Sequence, residues 1–303
     1  MRVAIAGYGD MARYIIEEFT KVGHELIVLT RSHKYDIDRP GVTQFVTDYS
    51  LESLAVPLRD AEVLVSTIGD QSLSYIDIHR NLIKACQQSP KCKRFMPSEY
   101  AGNLDTHPEQ PAFYARSREP IRQLLREQTD LEWTLILVGW LADYVLPAAN
   151  RYIRDFGEAC PINLVDGTMV IPGTGDEPIS FIWSRDVAKA MASLVSAPKW
   201  EQHTFVTGEL STWNNVAALL RDKYQPDLKV QHLSVSTILE TIASAEDALS
   251  KGLAEHQLYS ASHASALPQE RLQAQRQKYF PGVQFRTLRG GLDDFDRDTS
   301  IIV

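Results

Sequence analysis

The sequence predicts an α/β protein: a doubly wound, Rossmann-like parallel sheet followed by a smaller mixed α/β lobe. Three observations carry that expectation. An apolar strand, Arg2–Ala6, runs into the turn Gly7-Tyr8-Gly9-Asp10-Met11-Ala12, which opens an amphipathic helix. A near-continuous apolar run over residues 62–68 stops at Gly69, as for a parallel strand covered on both faces. Strand and helix signals alternate as far as residue 138, which implies right-handed crossovers and helices on both sides of the sheet.

The first strand and its turn set the frame. Gly7 permits the tight turn, Gly9 lets a pyrophosphate approach the backbone, and Ala12 lets helix and strand pack closely. The helix start offers free N–H groups and a positive dipole end to phosphates. A second apolar run, 25–29, ends at Thr30-Arg31. An NAD site places Asp or Glu near this point to bind the ribose 2′-OH. This chain has Thr30, Arg31, Ser32, His33 and Lys34, with no carboxylate before Asp36. Guanidinium and ammonium groups form charge-assisted bonds to a 2′-phosphate, so the expected coenzyme is NADP(H). Its expected contacts are the turn residues up to Met11 together with Thr30, Arg31, Ser32 and Lys34.

Further elements follow in order. Residues 43–47 read as a third strand, and 51–58 as a short helix limited by Pro57. After the strand at 62–68, residues 70–88 show helical spacing through Ile76, Ile78, Leu82, Ile83 and Ala85. A fifth strand, 93–96, stops at Pro97, and a helix over 120–128 takes Pro120 in its first turn. A sixth strand, 133–138, completes the sheet. Residues 1–150 are read as the coenzyme-binding domain and 151–303 as the smaller lobe, with some segments returning to the main sheet.

In that lobe, 162–171 reads as a hairpin around Asp166-Gly167, 173–176 as a loop and 179–183 as a strand. A helix over 184–197 takes capping oxygens from Ser184 and Asp186. Residues 204–207 can pair with the main sheet, 211–223 form a helix with Ser or Thr at its start, and 230–235 form a short strand. Helical tracts follow at 236–253 and 269–279, and the acidic stretch 293–298 reads as a mobile end. The lobe is expected to cap the carboxyl ends of the sheet strands, where open sheets bind ligands.

With 303 residues the chain suits one large domain or one and a half. Its formal charge of -8 argues against nucleic acid or an anionic membrane as the main partner. The three cysteines, Cys86, Cys92 and Cys160, are scattered without a C-x-x-C, which points to a reduced, cytoplasmic protein with no zinc site or disulfide frame. The opening core strand leaves no room for a secretory signal. Residues 133–146, the most apolar later stretch, contain Asp143 and are too short to cross a bilayer. The eight histidines lack metal-type spacing, and no G-x-S-x-G elbow is present. The expected partner is a small molecule, bound by a monomer or homodimer.

The segment Lys93-Arg94-Phe95-Met96-Pro97-Ser98-Glu99-Tyr100 follows the fifth strand. With the opening motif it resembles the K-R-F-x-P-S-E-F signature of the NmrA-like and isoflavone reductase-like group, an atypical branch of the short-chain dehydrogenase/reductase superfamily. Ser184-Arg185-Asp186-Val187-Ala188 resembles the group's R-D-V-A helix start. The similarity covers roughly the first two hundred residues. Most members carry a longer G-x-T-G-x-x-G loop, one residue longer than here. The group includes plant lignan and benzylic ether reductases, fungal reductases of secondary metabolism and NADP-sensing regulators. The resemblance implies that Ser66, Thr67, Ile68 and Gly69 line the adenine-ribose side of the coenzyme. It places Pro97, Ser98 and Glu99 against the nicotinamide; a brace or cap within the loop is the plainer role for Ser98 and Glu99.

Reductases of the group carry a proton-transferring Lys at the start of the following helix, where this chain has Arg118. Arg keeps its proton at any workable pH, yet it can stabilise negative charge on a substrate oxygen. Tyr114, four residues earlier, echoes the superfamily's Y-x-x-x-K pair, and a nearby cation lowers a Tyr pKa. The candidate catalytic set is therefore Tyr114, Arg118 and Ser98. Pro120 in a first turn would put residues 114–118 outside the helix, and Arg116, Arg118, Arg122 and Arg126 would then form a solvated basic stripe. Trp140, Tyr144, Phe156 and Trp183 form either an aromatic pocket or core. Function reads as NADPH-dependent reduction of a small aromatic or polyketide-like metabolite. The alternatives are an NADP(H)-sensing regulator without catalysis and a non-redox isomerase or cyclase.

Overall fold

The computed structural model describes residues 1–69 and 72–303. Strands β1 (Arg2–Ala6), β2 (Glu25–Thr30), β3 (Val42–Val46), β4 (Val63–Ser66), β5 (Arg94–Met96) and β6 (Glu132–Trp133) form a parallel sheet in the order β3-β2-β1-β4-β5-β6. The order reverses beside β1, and open α/β sheets bind ligands at such a point. Helices α1 (Asp10–Lys21), α2 (Leu51–Leu58), α3 (Ser74–Gln88) and α4 (Ala112–Glu127) connect the strands. The expected start of the third helix at 70 and 71 lies outside the described residues.

The apolar runs are explained by two-sided cover. Along β1, Val3 and Ile5 enter the core beneath α1, whereas Ala4 and Ala6 enter the core beneath α2 and α3. The same alternation separates Leu26 and Val28 from Ile27 and Leu29, and Val63 and Val65 from Leu64. Each fully buried Val, Ile or Leu contributes roughly 1.5–3 kcal/mol, so neither face tolerates a polar residue cheaply.

Beyond β6 the expected sixth strand is two pieces. β7 (Leu135–Leu137) follows Thr134, whose hydroxyl meets Thr204 Oγ1 at 2.8 Å. β8 (Trp140–Leu141) leads into a hairpin of β9 (Ile162–Asn163) and β10 (Thr168–Pro172), turned at Gly167 with φ +62°. β11 (Ile179–Ile182) precedes α5 (Ser184–Leu194), and β12 (His203–Phe205) pairs parallel with β7 in a separate two-stranded sheet, not with the six-stranded sheet that the sequence pattern predicts for residues 204–207. β13 (Glu209–Ser211) and β8 flank β11, while β14 (Lys229–Leu233) pairs with β10. Around these small sheets lie α6 (Trp213–Lys223), α7 (Val235–Ser244), α8 (Ala248–Ala261), α9 (Gln269–Tyr279) and α10 (Leu288–Arg297). Thr212 caps α6 by accepting from the Asn215 N–H.

Four local expectations are corrected. The single tract at 236–253 is α7 and α8, because Asp247 caps a new helix by accepting from the Ser250 N–H. Helix α5 is not capped by Ser184 or Asp186. The buried Asp143 carboxylate instead receives the Ser184 N–H and hydroxyl at 2.9 Å each, and the Tyr14 hydroxyl at 3.0 Å. Asp186 is pointed elsewhere, pairing with Arg286 at 3.0 Å. The acidic stretch near 293–298 is not a free end. It is mostly helix α10, tied by Asp294 to Arg286 at 3.1 Å and by Asp293 to Lys223 at 2.6 Å. Finally, α4 begins eight residues before Pro120, at Ala112, with Pro111 as its N-cap residue. Pro120 sits inside the helix, where it forfeits only the hydrogen bond to the Arg116 carbonyl, beside a half-exposed side chain. Among the described residues no helix is long and apolar enough to cross a membrane.

Candidate active site

The glycine turn is built by the end of β4. Gly7 has φ +98°, and a Cβ there would meet Thr67 Oγ1 at 3.1 Å and Ile68 Cγ1 at 3.2 Å. Only glycine enters that conformation without strain. Thr67 stitches the turn down, its N–H donating to the Ala6 carbonyl at 2.8 Å and its hydroxyl reaching the Ala6 and Gly7 carbonyls. Gly9 is the N-cap residue of α1, and among the described residues no side chain accepts a capping bond from that helix start. Among the described residues the first N–H groups of Asp10, Met11 and Ala12 are thus unclaimed, and they suit an anion, the fit a pyrophosphate requires. Met11 and Ala12 are buried, and the Asp10 carboxylate is drawn aside by Arg154 at 2.9 Å.

At the end of β2 the Thr30 hydroxyl folds back on the Ser32 carbonyl at 2.8 Å. Arg31 and Ser32 are exposed, with the Arg31 guanidinium 5.9 Å from the Tyr49 ring. Lys34 is fixed through its backbone, exchanging hydrogen bonds with the Gln44 amide. Ile68 is half-buried and Gly69 exposed at the edge of the cleft, with Ser66 buried behind them.

The second half of the site lies at the end of β5. Pro97, Ser98 and Glu99 are buried. The Ser98 carbonyl accepts from the Tyr75 hydroxyl at 3.0 Å, and the Tyr114 hydroxyl reaches the Glu99 carbonyl. Glu99's side chain is a brace: its carboxylate pairs with Arg122 at 2.6 Å, both groups nearly inaccessible to water. Arg122 also donates to the Pro108 carbonyl at 2.8 Å.

Because α4 is continuous, Tyr114 and Arg118 share one face, contrary to the expectation drawn from a first-turn Pro120. The Arg118 guanidinium is fully buried between the Tyr75 and Tyr114 rings, 3.8 Å from each centroid. The solvated basic stripe does not exist. Arg118 and Arg122 are buried, Arg116 pairs with Glu255 at 3.0 Å, and Arg126 pairs with Glu119. Burial pushes the Tyr114 phenol above its ordinary pKa, and Arg118 only partly draws it back. The cation alone does not set that group.

Over Tyr114 lies an aromatic cluster. Phe113 stands 6.2 Å from Tyr114 and 6.0 Å from His256, and His256 stands 5.0 Å from Trp140 and 5.2 Å from Phe156. Trp140 packs edge-on against Trp213 at 5.0 Å. Buried Trp140 Nε1, Trp213 Nε1 and His256 Nδ1 have no hydrogen-bond partner among the described residues. Burial lowers the His256 pKa to about 4, so its imidazole is neutral near pH 7. Of the four aromatics singled out, Trp140, Tyr144 and Phe156 join this cluster, whereas Trp183 is core, bonded through Nε1 to the Thr287 carbonyl. Among the described residues no group of three or more His, Cys, Asp or Glu could hold a metal.

Sequence reasoning missed Tyr75, Arg122, Trp213 and His256. Arg122 follows Arg118 by one helical turn, a signal hidden by reading Pro120 as a helix start. The others come from distant segments, and no local pattern marks them.

Comparison with known proteins agrees with this architecture. A protein of Arthroderma benhamiae named oxidoreductase swnR is 52% identical over 305 residues, spanning 100% of both chains. A like-named protein of Metarhizium robertsii is 50% identical, again across 100% of both. The binary complex of leucoanthocyanidin reductase and NADPH from Vitis vinifera superposes with a TM-score of 0.76, covering 97% of this chain and 99% of that one. At 17% sequence identity that likeness speaks for the fold. The sequence profile of the NmrA-like family matches residues 2–288, so the chain belongs to the NmrA-like family.

Proposed function

We propose that the protein is an NADPH-dependent reductase of a small aromatic or polyketide-like molecule, acting in the cytosol. The observation that carries this reading is the stack of Tyr114 on Arg118 at the carboxyl edge of β5, beside a turn and helix start fit for a pyrophosphate. Relatives of about half identity bear the name oxidoreductase, which agrees with it. The coenzyme, when bound, supplies a hydride. The chain's own residues do the rest. The start of α1 and the glycine turn hold phosphate oxygens, and Arg31 meets the 2′-phosphate. Tyr114, with its raised pKa, keeps its proton until a strongly basic oxygen develops, which makes it a donor rather than a base. Arg118, stacked 3.8 Å from the Tyr114 ring centroid, sets a guanidinium against the negative charge that develops as that phenol gives its proton to the oxygen. The cluster around Trp140 and Phe156 offers apolar ring faces, and the Trp140 and Trp213 indole N–H groups, unpartnered among the described residues, offer donors to a polar substrate atom.

A second reading is an NADP(H)-sensing protein without catalysis. It is favoured by the Tyr114 hydroxyl's engagement with the Glu99 carbonyl, which occupies the expected proton donor. Incubation with NADPH and a panel of enones and quinones separates the two by nicotinamide absorbance. Turnover that falls about 10²- to 10⁴-fold in Tyr114→Phe, with NADPH affinity unchanged, supports the reductase. Tight NADPH binding without turnover across the panel supports the sensor.

A further inference from the structure

Tyr8, the middle residue of the glycine turn, sends its hydroxyl to the Asp36 carboxylate at 2.7 Å. Arg13, one turn into α1, reaches the same Oδ2 at 3.2 Å. The two donors come from the turn and helix, and the acceptor comes from the loop beyond β2. They meet where the glycine turn faces the loop after β2, the side on which the adenosine ribose of a dinucleotide lies when its pyrophosphate sits on the helix start. Arg13 is also steadied by two rings, 5.5 Å from the Tyr8 centroid and 5.3 Å from the Tyr152 centroid. The site therefore holds an anion already: a carboxylate supplied by the chain.

We propose that Asp36 is an internal anion exchanged for the 2′-phosphate of NADP(H), with Arg13 and Tyr8 acting as phosphate ligands alongside Arg31. This rests on the NADP(H) reading above. The chemistry of the exchange is favourable in direction. The pair is solvent-exposed, its side chains 44% and 53% accessible, and ion pairs in water are weak and easily parted. A phosphate brings up to two charges and three acceptor oxygens, which a guanidinium binds in a fork, against one charge on the carboxylate. Tyr8's hydroxyl holds the Asp36 carboxyl below its ordinary pKa, so the internal anion is fully charged at neutral pH and opposes the incoming phosphate unless it moves. Asp36 then sets the affinity for the phosphorylated coenzyme without touching the ordinary ribose hydroxyl.

Titration of NADPH, NADH, 2′,5′-ADP and 5′-AMP into the wild type, Arg13→Ala, Tyr8→Phe and Asp36→Asn tests this through dissociation constants, independent of turnover. Arg13→Ala is expected to weaken NADPH and 2′,5′-ADP about ten- to hundredfold, the worth of one or two charged hydrogen bonds. NADH and 5′-AMP are expected to stay within about twofold in that variant, because they lack the phosphate. Asp36→Asn keeps the shape and removes the charge; it should tighten NADPH about threefold to tenfold and leave NADH unmoved. Tyr8→Phe should fall between wild type and Arg13→Ala for NADPH. Equal shifts for both coenzymes, or none in any variant, overturn the exchange while leaving NADPH binding intact. Absence of NADPH uptake by the wild type overturns the coenzyme reading itself.

Discussion

Arginine serves opposite ends at positions 31 and 118. Arg31 is exposed, and in the proposed site it waits for a phosphate arriving from solvent. Arg118 is enclosed by two phenol rings, and burial strengthens every charge interaction it makes. Lys at 118 would keep the charge but lose the flat stacking surface. At Arg31 the prediction is a change of coenzyme preference: Arg31→Ala should weaken NADPH about ten- to hundredfold and leave NADH nearly untouched. Calorimetric titration of both coenzymes checks it, and an unchanged ratio of affinities would remove Arg31 from the site. Glu99 and Arg122 illustrate a third residue-level role. A buried pair of this kind gains little net stability, yet removing one partner strands the other's charge. Its service is to lock α4 against the end of β5, which keeps Tyr114 over the Ser98–Glu99 backbone.

Among the elements, α10 shows how tightly the C-terminal part of the chain is fastened. A Cβ on Gly291 would lie 2.1 Å from Trp183 Cε2, a ring with no exposed surface. Alanine gains about 1 kcal/mol of helix propensity over glycine, but overpacking against an immobile indole costs about 1–3 kcal/mol or more. The overlap wins, so Gly291→Ala should lower Tm. Gly290→Ala is the control, since its Cβ would meet Thr287 Oγ1 at 3.3 Å and little else. Thermal melts of both variants decide the point; equal melting temperatures would mean that α10 is not seated on Trp183. Helix α5 is fastened in a related way, its start held by Asp143 from a segment 41 residues earlier.

The whole molecule carries a pH signature. Burial lowers His79 to about 3 and His256 to about 4, against 6.5 for the unfolded chain. Between those values the unfolded state binds protons that the folded state refuses, so stability is full above pH 6.5 and falls as pH drops toward 4. The slope is at most about 1.4 kcal/mol per pH unit for each histidine. Asp143 has its pKa raised by burial and acts in the opposite sense, favouring the folded state as acid is added. The difference between wild type and a His79→Phe, His256→Phe double variant isolates the histidines. Urea midpoints at pH 7 and pH 5 should lie closer together in the variant than in the wild type, whose decline is steeper; parallel pH profiles would contradict the burial of these two rings as neutral species.

How much of this was written locally is clear from particular residues. The strand Arg2–Ala6, the requirement for glycine at position 7 and the two-sided run into Ser66 follow from backbone sterics and periodicity, which act over a few residues. The Tyr114–Arg118 spacing was legible too, but its use was hidden, because Pro120 resembles a helix start and only packing decides that a helix continues through it. The sandwich of Arg118, the Glu99–Arg122 lock, the Asp143 cap on α5 and the meeting of Tyr8, Arg13 and Asp36 join residues far apart in sequence. Sequence by itself therefore determined the sheet, the glycine turn and the basic loop beside it. Tertiary structure alone decided which charges are buried, which are paired and which remain open to a ligand, because desolvation and ion pairing depend on neighbours in space and not on neighbours in the chain.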